Sequence, residues 1–220
     1  MRYYPAYLDI QGRRCLVVGG GQVGTRKVGT LLQCGAEVTV ISHEATSELR
    51  SMAAQGRIDL QLRDYRSDDL DHMFLVIGAT DDQELNQRIH RDAAAAQRLC
   101  NIADQPELCN FVLPSIINQG NLSIAISTAG KSPAFAKFLR RQLQGQFGPE
   151  YGRMLDLMGA VRSRLLAEEH APEQHKPLFE KLIRGGLLEM IKGNNHEQID
   201  ALLESVLGPD FKYETLMESP

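Results

Sequence analysis

Arg14-Cys15-Leu16-Val17-Val18-Gly19-Gly20-Gly21-Gln22-Val23-Gly24 is the stretch that decides the fold. The apolar run from Arg13 to Val18 predicts a short buried strand. Gln22 to Cys34 carries Val23, Leu31 and Leu32 at helical spacing, and Gly35 ends it. Between strand and helix lies G-x-G-x-x-G at Gly19, Gly21 and Gly24. Alone that pattern is weak; directly after a strand and opening a helix, it has the context of a dinucleotide site. Glycine permits the tight turn, a backbone without a side chain can approach a pyrophosphate, and the third glycine lets helix close on strand. First-turn N–H groups and the helix dipole then favour the phosphates. The competing reading is a glycine-rich turn with no ligand.

Outward from this turn the alternation repeats. Glu37 to Ile41 is β-branched and reads as a strand, a polar helix follows from Thr46 to Gln55, and Ile58, Leu60 and Leu62 alternate with polar residues. Met73 to Ile77 is a continuous apolar run, as expected of a central strand buried on both faces. A helix over Asp82 to Ala96 and a strand over Leu99 to Ala103 complete the pattern. Strand and helix alternating through short connections predict an α/β, Rossmann-type, mostly parallel sheet. The character changes near Pro114. A strand over Leu122 to Ser127 precedes helices over Pro133 to Gln146, Pro149 to Ala167, Glu173 to Lys192 and His196 to Leu207. The expected parts are a Rossmann-type NAD-binding domain over 1–113, a segment over 114–148 and a helical C-terminal domain over 149–220.

Composition narrows the function. Of 220 residues, 43% are apolar and 24% charged, enough for a packed core. Lys and Arg number 24 against 28 Asp and Glu, and this mild acidity argues against a general nucleic-acid binder. No apolar run reaches membrane-span length, and Met1 to Gly12 lacks the pattern of a secretory signal, so a cytoplasmic protein with no membrane partner is expected. Cys15, Cys34, Cys100 and Cys109 have no CxxC spacing and read as reduced, buried thiols. The histidines (His43, His72, His90, His170, His175, His196) are scattered, which predicts surface positions and no structural metal site. Lys131 to Arg164 carries seven bases and two acids, whereas Leu165 to Pro220 carries eleven acids and five bases. The basic stretch is either a solvated helix face or a cleft for an anionic small molecule.

Four further places are candidates. Glu44 lies twenty residues beyond Gly24, and neither Arg nor Lys occurs between Lys27 and Arg50; both favour NAD over NADP. After the central strand, Asp81 is expected to cap the next helix with Glu84 closing a capping box, leaving Thr80 to line the nicotinamide side. Asp104, in Asn101-Ile102-Ala103-Asp104-Gln105-Pro106, ends the last strand at the edge where chemistry occurs in such folds; it equally suits a turn before proline. Ser127-Thr128-Ala129-Gly130-Lys131-Ser132-Pro133 leads into a helix. Ser132 as cap and Pro133 as first residue explain its end, and the same end with Lys131 is an anion site.

Together the strings CLVVGGGQVGTRKVGTLLQCGAEVTV, GATDDQELNQRI, CNIADQPELCNFVLPS and STAGKSPAFAKFLRRQL resemble the siroheme-synthase N-terminal module family, the precorrin-2 dehydrogenases that often double as sirohydrochlorin ferrochelatases. The likeness covers nearly the whole chain and is weakest after Pro149. It implies NAD-dependent oxidation of precorrin-2, a tetrapyrrole polycarboxylate, to sirohydrochlorin, with insertion of Fe2+ (or Co2+) as a substrate ion to give siroheme. It implies a homodimer made through the 114–148 segment, with the helical tail helping to cover the active site. By the same resemblance Asp104 is the catalytic carboxylate, and Gln22, Val23, His43 and Glu44 fall at NAD-contact positions. The loop Ser127, Thr128, Gly130, Lys131 and Ser132 lies where the macrocycle binds, with Arg140 and Arg141 as further carboxylate partners. Gly24 stands where the family commonly has alanine, a swap expected to be harmless. The methyltransferase portion of larger siroheme synthases is not in this chain, so synthesis of precorrin-2 itself is not expected. Two alternatives stand beside this expectation: a dehydrogenase that hands its product to a separate chelatase, and a non-catalytic NAD(H)-sensing protein.

Overall fold

The computed structural model describes residues 2–168 and 172–218. They fall into two compact units, Met1–Leu113 with Ala129–Lys131, and Pro114–Thr128 with Ser132–Pro220.

The first unit is built on five strands, β1 (Arg14–Gly20), β2 (Glu37–Ala45), β3 (Asp59–Gln61), β4 (Leu75–Gly78) and β5 (Leu99–Ile102). They are parallel throughout, in the order β3-β2-β1-β4-β5. Helices α1 (Gln22–Gln33), α2 (Ser47–Ala54) and α3 (Gln83–Ala95) make the crossovers. The period of two along β1 divides the core. Cys15 and Val17 pack with Val28 and Leu31 of α1 and Leu49 of α2, while Leu16 and Val18 pack with Ile89 and Ala93 of α3. Apolar residues on both faces of a central strand require this double covering. The chain order reverses between β1 and β4, so their carboxyl ends open the crevice where such sheets bind ligands.

β2 runs four residues beyond the apolar segment expected for it. Gly20 pairs with Ala45, and the Gly20 N–H donates to Ser42 Oγ at 2.9 Å, so the polar tail Ser42–Ala45 is strand because β1 holds it. Helix α3 is capped by Asp82, whose carboxylate accepts from the Glu84 and Leu85 N–H groups at 2.9 and 3.0 Å; this replaces the expected cap at Asp81.

The second unit begins with a hairpin, β6 (Ser115–Gln119) and β7 (Leu122–Ile126), joined through Gly120 and Asn121. Six helices follow: α4 (Pro133–Gln144), α5 (Pro149–Ala167), α6 (Pro172–Arg184), α7 (Leu187–Lys192), α8 (His196–Leu207) and α9 (Tyr213–Met217). Gly120, at φ +57°, turns tightly against Gly152 of α5, where a side chain at Gly152 would strike the Gln119 carbonyl. Gln119 Nε2 donates to the Phe147 carbonyl at 2.8 Å and Asn121 Nδ2 to Asp156 Oδ1 at 2.9 Å. Leu157, Val161, Leu165, Leu182, Leu187, Ile199 and Leu203 form the helical core. The single helix expected over Glu173 to Lys192 is two. Gly186 is left-handed (φ +84°), and the Leu202 side chain of α8 fills the space a Cβ at Gly185 would take.

Candidate active site

The glycine turn is shaped by what each glycine faces. Gly19 is at φ +118°, and a Cβ there would overlap the Ala79 carbonyl, so β1 and β4 close on each other only through a glycine. At Gly24 a Cβ would overlap the Gly19 carbonyl; the alanine expected to be harmless would therefore push α1 off its own turn. Gly21 is different. Around it a Cβ would meet nothing within 4 Å, so its missing side chain leaves room for a ligand rather than for protein. Gly21 is the N-cap of α1 without a side-chain cap, and the first turn carries no acid. The N-terminal N–H groups and the positive end of the dipole are thus available to an anion, with Gln22 and Val23 exposed beside them. The Thr25 hydroxyl donates to the Gly21 carbonyl and bonds Thr46 at 2.8 Å, which fixes α1 against the start of α2.

Beside this turn, a cavity of about 620 Å³ opens at the carboxyl ends of the strands. Gly19, Ile41, His43, Asp64, Tyr65 and Thr80 are among its walls. Thr80 is held by Asn86, whose Nδ2 donates to the Thr80 carbonyl at 3.0 Å, and its hydroxyl accepts from the Asp82 N–H at 3.1 Å. Glu44 is not in this wall. Three acids are: Asp82 and Glu84 at the start of α3, and Asp64, after β3, bonded through Oδ1 to His43 Nε2 at 2.8 Å. A slot walled by apolar and polar groups in equal measure, beside an open helix N-terminus, fits an adenosine and its pyrophosphate.

Asp104 sits at the carboxyl end of β5, exposed, in the left-handed conformation (φ +59°). The turn around it is tied back onto β5. Asn110 Oδ1 accepts from the Cys100 N–H at 2.8 Å, its Nδ2 donates to the Arg98 carbonyl at 2.8 Å, and Asn101 Nδ2 donates to the Phe111 carbonyl at 3.0 Å. Lys27, half-buried on α1, was missed by sequence reasoning. Burial lowers its pKa, Arg26 lowers it further, and the charges of Asp104 and Cys109 pull it back up. Its sequence signal is a lysine three residues past Gly24, within the first turns of α1.

Ala129–Lys131 belong to the same unit as Asp104, both Ala129 (φ +54°) and Gly130 (φ +81°) being left-handed. Gly130 lies against Pro106 of the Asp104 turn. The remaining expected substrate residues are in the second unit. Ser132 caps α4 by accepting from the Phe135 N–H at 3.2 Å, and its own N–H donates to Thr128 Oγ1 at 3.2 Å. Ser127 is exposed at the end of β7; Arg140 donates to Gln144 at 2.9 Å, and Arg141 is in the last turn of α4.

Among the described residues no group of three or more His, Cys, Asp or Glu side chains is placed to hold a metal, and no helix is long and apolar enough to cross a membrane. Of the histidines, His170 lies outside the described residues, and His175 is buried edge-on to Phe179, contrary to the expected surface position. The cysteines divide: Cys15 and Cys100 are buried and Cys34 is exposed, so burial does not hold for all four. Burial, aided by Cys34, pushes the Cys15 thiol up to about 11, and burial with Cys109 pushes Cys100 up to about 12. At pH 8, iodoacetamide is therefore expected to modify Cys34 in the folded protein and to reach Cys15 and Cys100 only in denaturant, as read by peptide mass spectrometry. These two thiols add stability that is complete below their unfolded value near 9 and is lost as pH climbs toward 12. Tyr65, raised by burial and by Asp92, acts in the same direction, and Lys27 opposes them. Urea midpoints are expected to fall between pH 9 and 11; a flat profile would contradict this.

Residues 6–115 match the family described as "Putative NAD(P)-binding", and residues 119–146 match that described as "Sirohaem biosynthesis protein central". The chain is 36% identical over 211 residues to a siroheme synthase of Nitrosococcus oceani, covering 96% of this chain and 45% of that one. It is 32% identical over 212 residues to a siroheme synthase of Neisseria meningitidis serogroup C, covering 96% and 44%. The chain thus spans under half the length of these relatives. Among solved structures it is similar to SirC, precorrin-2 dehydrogenase, at TM-score 0.78 and 25% identity over 93% of this chain and 98% of that one. An open helix N-terminus over a glycine turn, a slot of adenosine size and these likenesses agree: NAD is the cofactor, and the chain belongs to the siroheme-synthase N-terminal module family of NAD(P)-binding proteins.

Proposed function

We propose that this chain oxidises precorrin-2 to sirohydrochlorin with NAD and then inserts Fe2+, or Co2+, into the product. The observation that carries the reading is one edge of one sheet. It holds both the uncapped N-terminus of α1 and the outward-turned carboxylate of Asp104, two strands apart. NAD, when bound, supplies the hydride acceptor. Gly21, Gln22 and Val23 hold its pyrophosphate, and Thr80 and the end of β4 border the nicotinamide side. Oxidation removes one hydride and one proton from the macrocycle, and Asp104 is the base or orienter for the proton. Lys27 is half-buried beside it and keeps a positive charge near the substrate's carboxylates, as Lys131 does from the same unit. For metal insertion Asp104 accepts the pyrrole N–H protons that leave as the ion enters.

The assembly we propose is a homodimer. Ile116, Phe135 and Phe138 of the second unit are 39%, 51% and 52% exposed, apolar surface that a second copy would cover. Free thiols at all four cysteines support a reducing, cytoplasmic setting.

The test is an anaerobic assay with precorrin-2 and NAD, with ferrous iron added after the first step ends. NADH formation followed by siroheme formation faster than a no-enzyme control is the expected result. Iron insertion no faster than the control would reduce the reading to a dehydrogenase serving a separate chelatase. No NADH formation would overturn it in favour of a protein that only binds the dinucleotide.

A further inference from the structure

The expected ribose-binding acid, Glu44, is absent from the wall of the cofactor cavity, and a different carboxylate stands there. β2 remains strand to Ala45, with Ser42 engaged on the Gly20 N–H and the Glu44 carbonyl turned to the Gly20 backbone. His43 is in the cavity wall, and its Nε2 reaches across to Asp64 Oδ1 at 2.8 Å, tying the end of β2 to the segment after β3. A carboxylate offers about four acceptor positions, so Asp64 can hold His43 and still accept from hydroxyl groups.

Three arginines line the cavity; Arg91 is on α3, and the other two are committed. Arg63 donates to both oxygens of Asp69, at 2.9 and 2.6 Å, and Arg88 lies 5.5 Å from the Tyr65 ring centre and 3.8 Å from Asp92. The carboxylate of Asp82 is likewise engaged, as the cap of α3, and Glu84 stands in the first turn of that helix rather than after β3. The open polar group at the β2–β3 side of the slot is thus a carboxylate oriented by an imidazole.

Resting on the reading that NAD binds here, we propose that Asp64, oriented by His43, accepts the adenosine ribose hydroxyls and selects NAD over NADP. The vicinal hydroxyls of NAD donate to the carboxylate. The 2′-phosphate of NADP has no proton to offer there at neutral pH and places negative charge against negative charge.

The test is direct titration of the full chain with NADH and with NADPH, followed by nicotinamide fluorescence and independent of any tetrapyrrole. Wild type is expected to bind NADH at least about tenfold more tightly than NADPH, the value of one charge-assisted hydrogen bond. Asp64→Asn is expected to weaken NADH by about tenfold and to bring the two affinities within about threefold of each other. Glu44→Gln is expected to leave the ratio unchanged. Adding His43→Ala to Asp64→Asn is expected to leave the NADH-to-NADPH ratio as it is in Asp64→Asn, because the imidazole has no carboxylate left to orient. An unchanged NADH-to-NADPH ratio in Asp64→Asn, or a ratio that collapses in Glu44→Gln instead, overturns the proposal. Asp64 is exposed, and unchanged far-UV circular dichroism separates these outcomes from misfolding. If wild type bound neither dinucleotide, the cofactor reading itself would fall along with this one.

Discussion

Gly19→Ala is expected to cost about 3 kcal/mol of stability and to abolish NADH binding. Two independent penalties act at that residue. Its φ of +118° is a region that side-chain-bearing residues rarely enter, and the added Cβ would overlap the Ala79 carbonyl at the start of the β4 crossover. Relief requires β1 and β4 to part, and these strands carry the crevice. Gly24→Ala acts on the same turn from the helix side, through the Gly19 carbonyl, and is expected to destabilise as well. Gly21→Ala is the discriminating control. With nothing within 4 Å of the new methyl, stability should stay within about 0.5 kcal/mol of wild type while NADH affinity falls, because the methyl occupies the approach of the pyrophosphate. Urea unfolding followed by circular dichroism, paired with NADH titration, reads both quantities. Equal stability of the Gly19→Ala and Gly21→Ala proteins would refute this account of the turn.

Asp104→Asn is expected to lower kcat for precorrin-2 oxidation by at least about a hundredfold, the usual worth of a positioned general base, with NADH affinity within about twofold of wild type. The choice of asparagine follows from the backbone. Asp104 is left-handed, φ +59°, a conformation asparagine shares with aspartate at little cost. Alanine would add strain to the loss of the carboxylate and blur the result. Stopped-flow measurement of NADH formation under anaerobic conditions gives kcat and KM separately. A raised KM with unchanged kcat would recast Asp104 as a binding residue. Wild-type values in both would remove it from the mechanism.

Much of this architecture could be read one residue at a time. The Val17–Val18 run, the three glycines and the alternating helices and strands to Ala103 each carry local chemistry, and the sheet follows from them. Local signals failed where a neighbour made the decision. Ser42–Ala45 is polar, yet it is strand because Gly20 pairs with it. Ser115–Gln119 is a strand beyond the sequence expectation, paired with β7 through Gly120-Asn121, a turn signal between two alternating runs. Gly185 and Gly186 end a helix that periodicity alone would join, the first because Leu202 of α8 approaches there and the second by its left-handed backbone.

The candidate site divides the same way. Glycines, a helix N-terminus and a carboxylate before Pro106 are features of continuous sequence, so the cofactor class and Asp104 were accessible without coordinates. Asp64 and Lys27 were not. Asp64 is brought to the cavity by the pairing of β3 with β2, twenty-one residues from His43, and Lys27 acquires its surroundings from a turn more than seventy residues later. A glycine turn and a helix N-terminus at one edge of a parallel sheet are legible in the chain's local pattern, since both depend on contacts within a few residues. Which acid in the wall meets His43, and which glycines tolerate a methyl group, follow from overlaps and hydrogen bonds between distant segments, which exist only once the strands lie side by side.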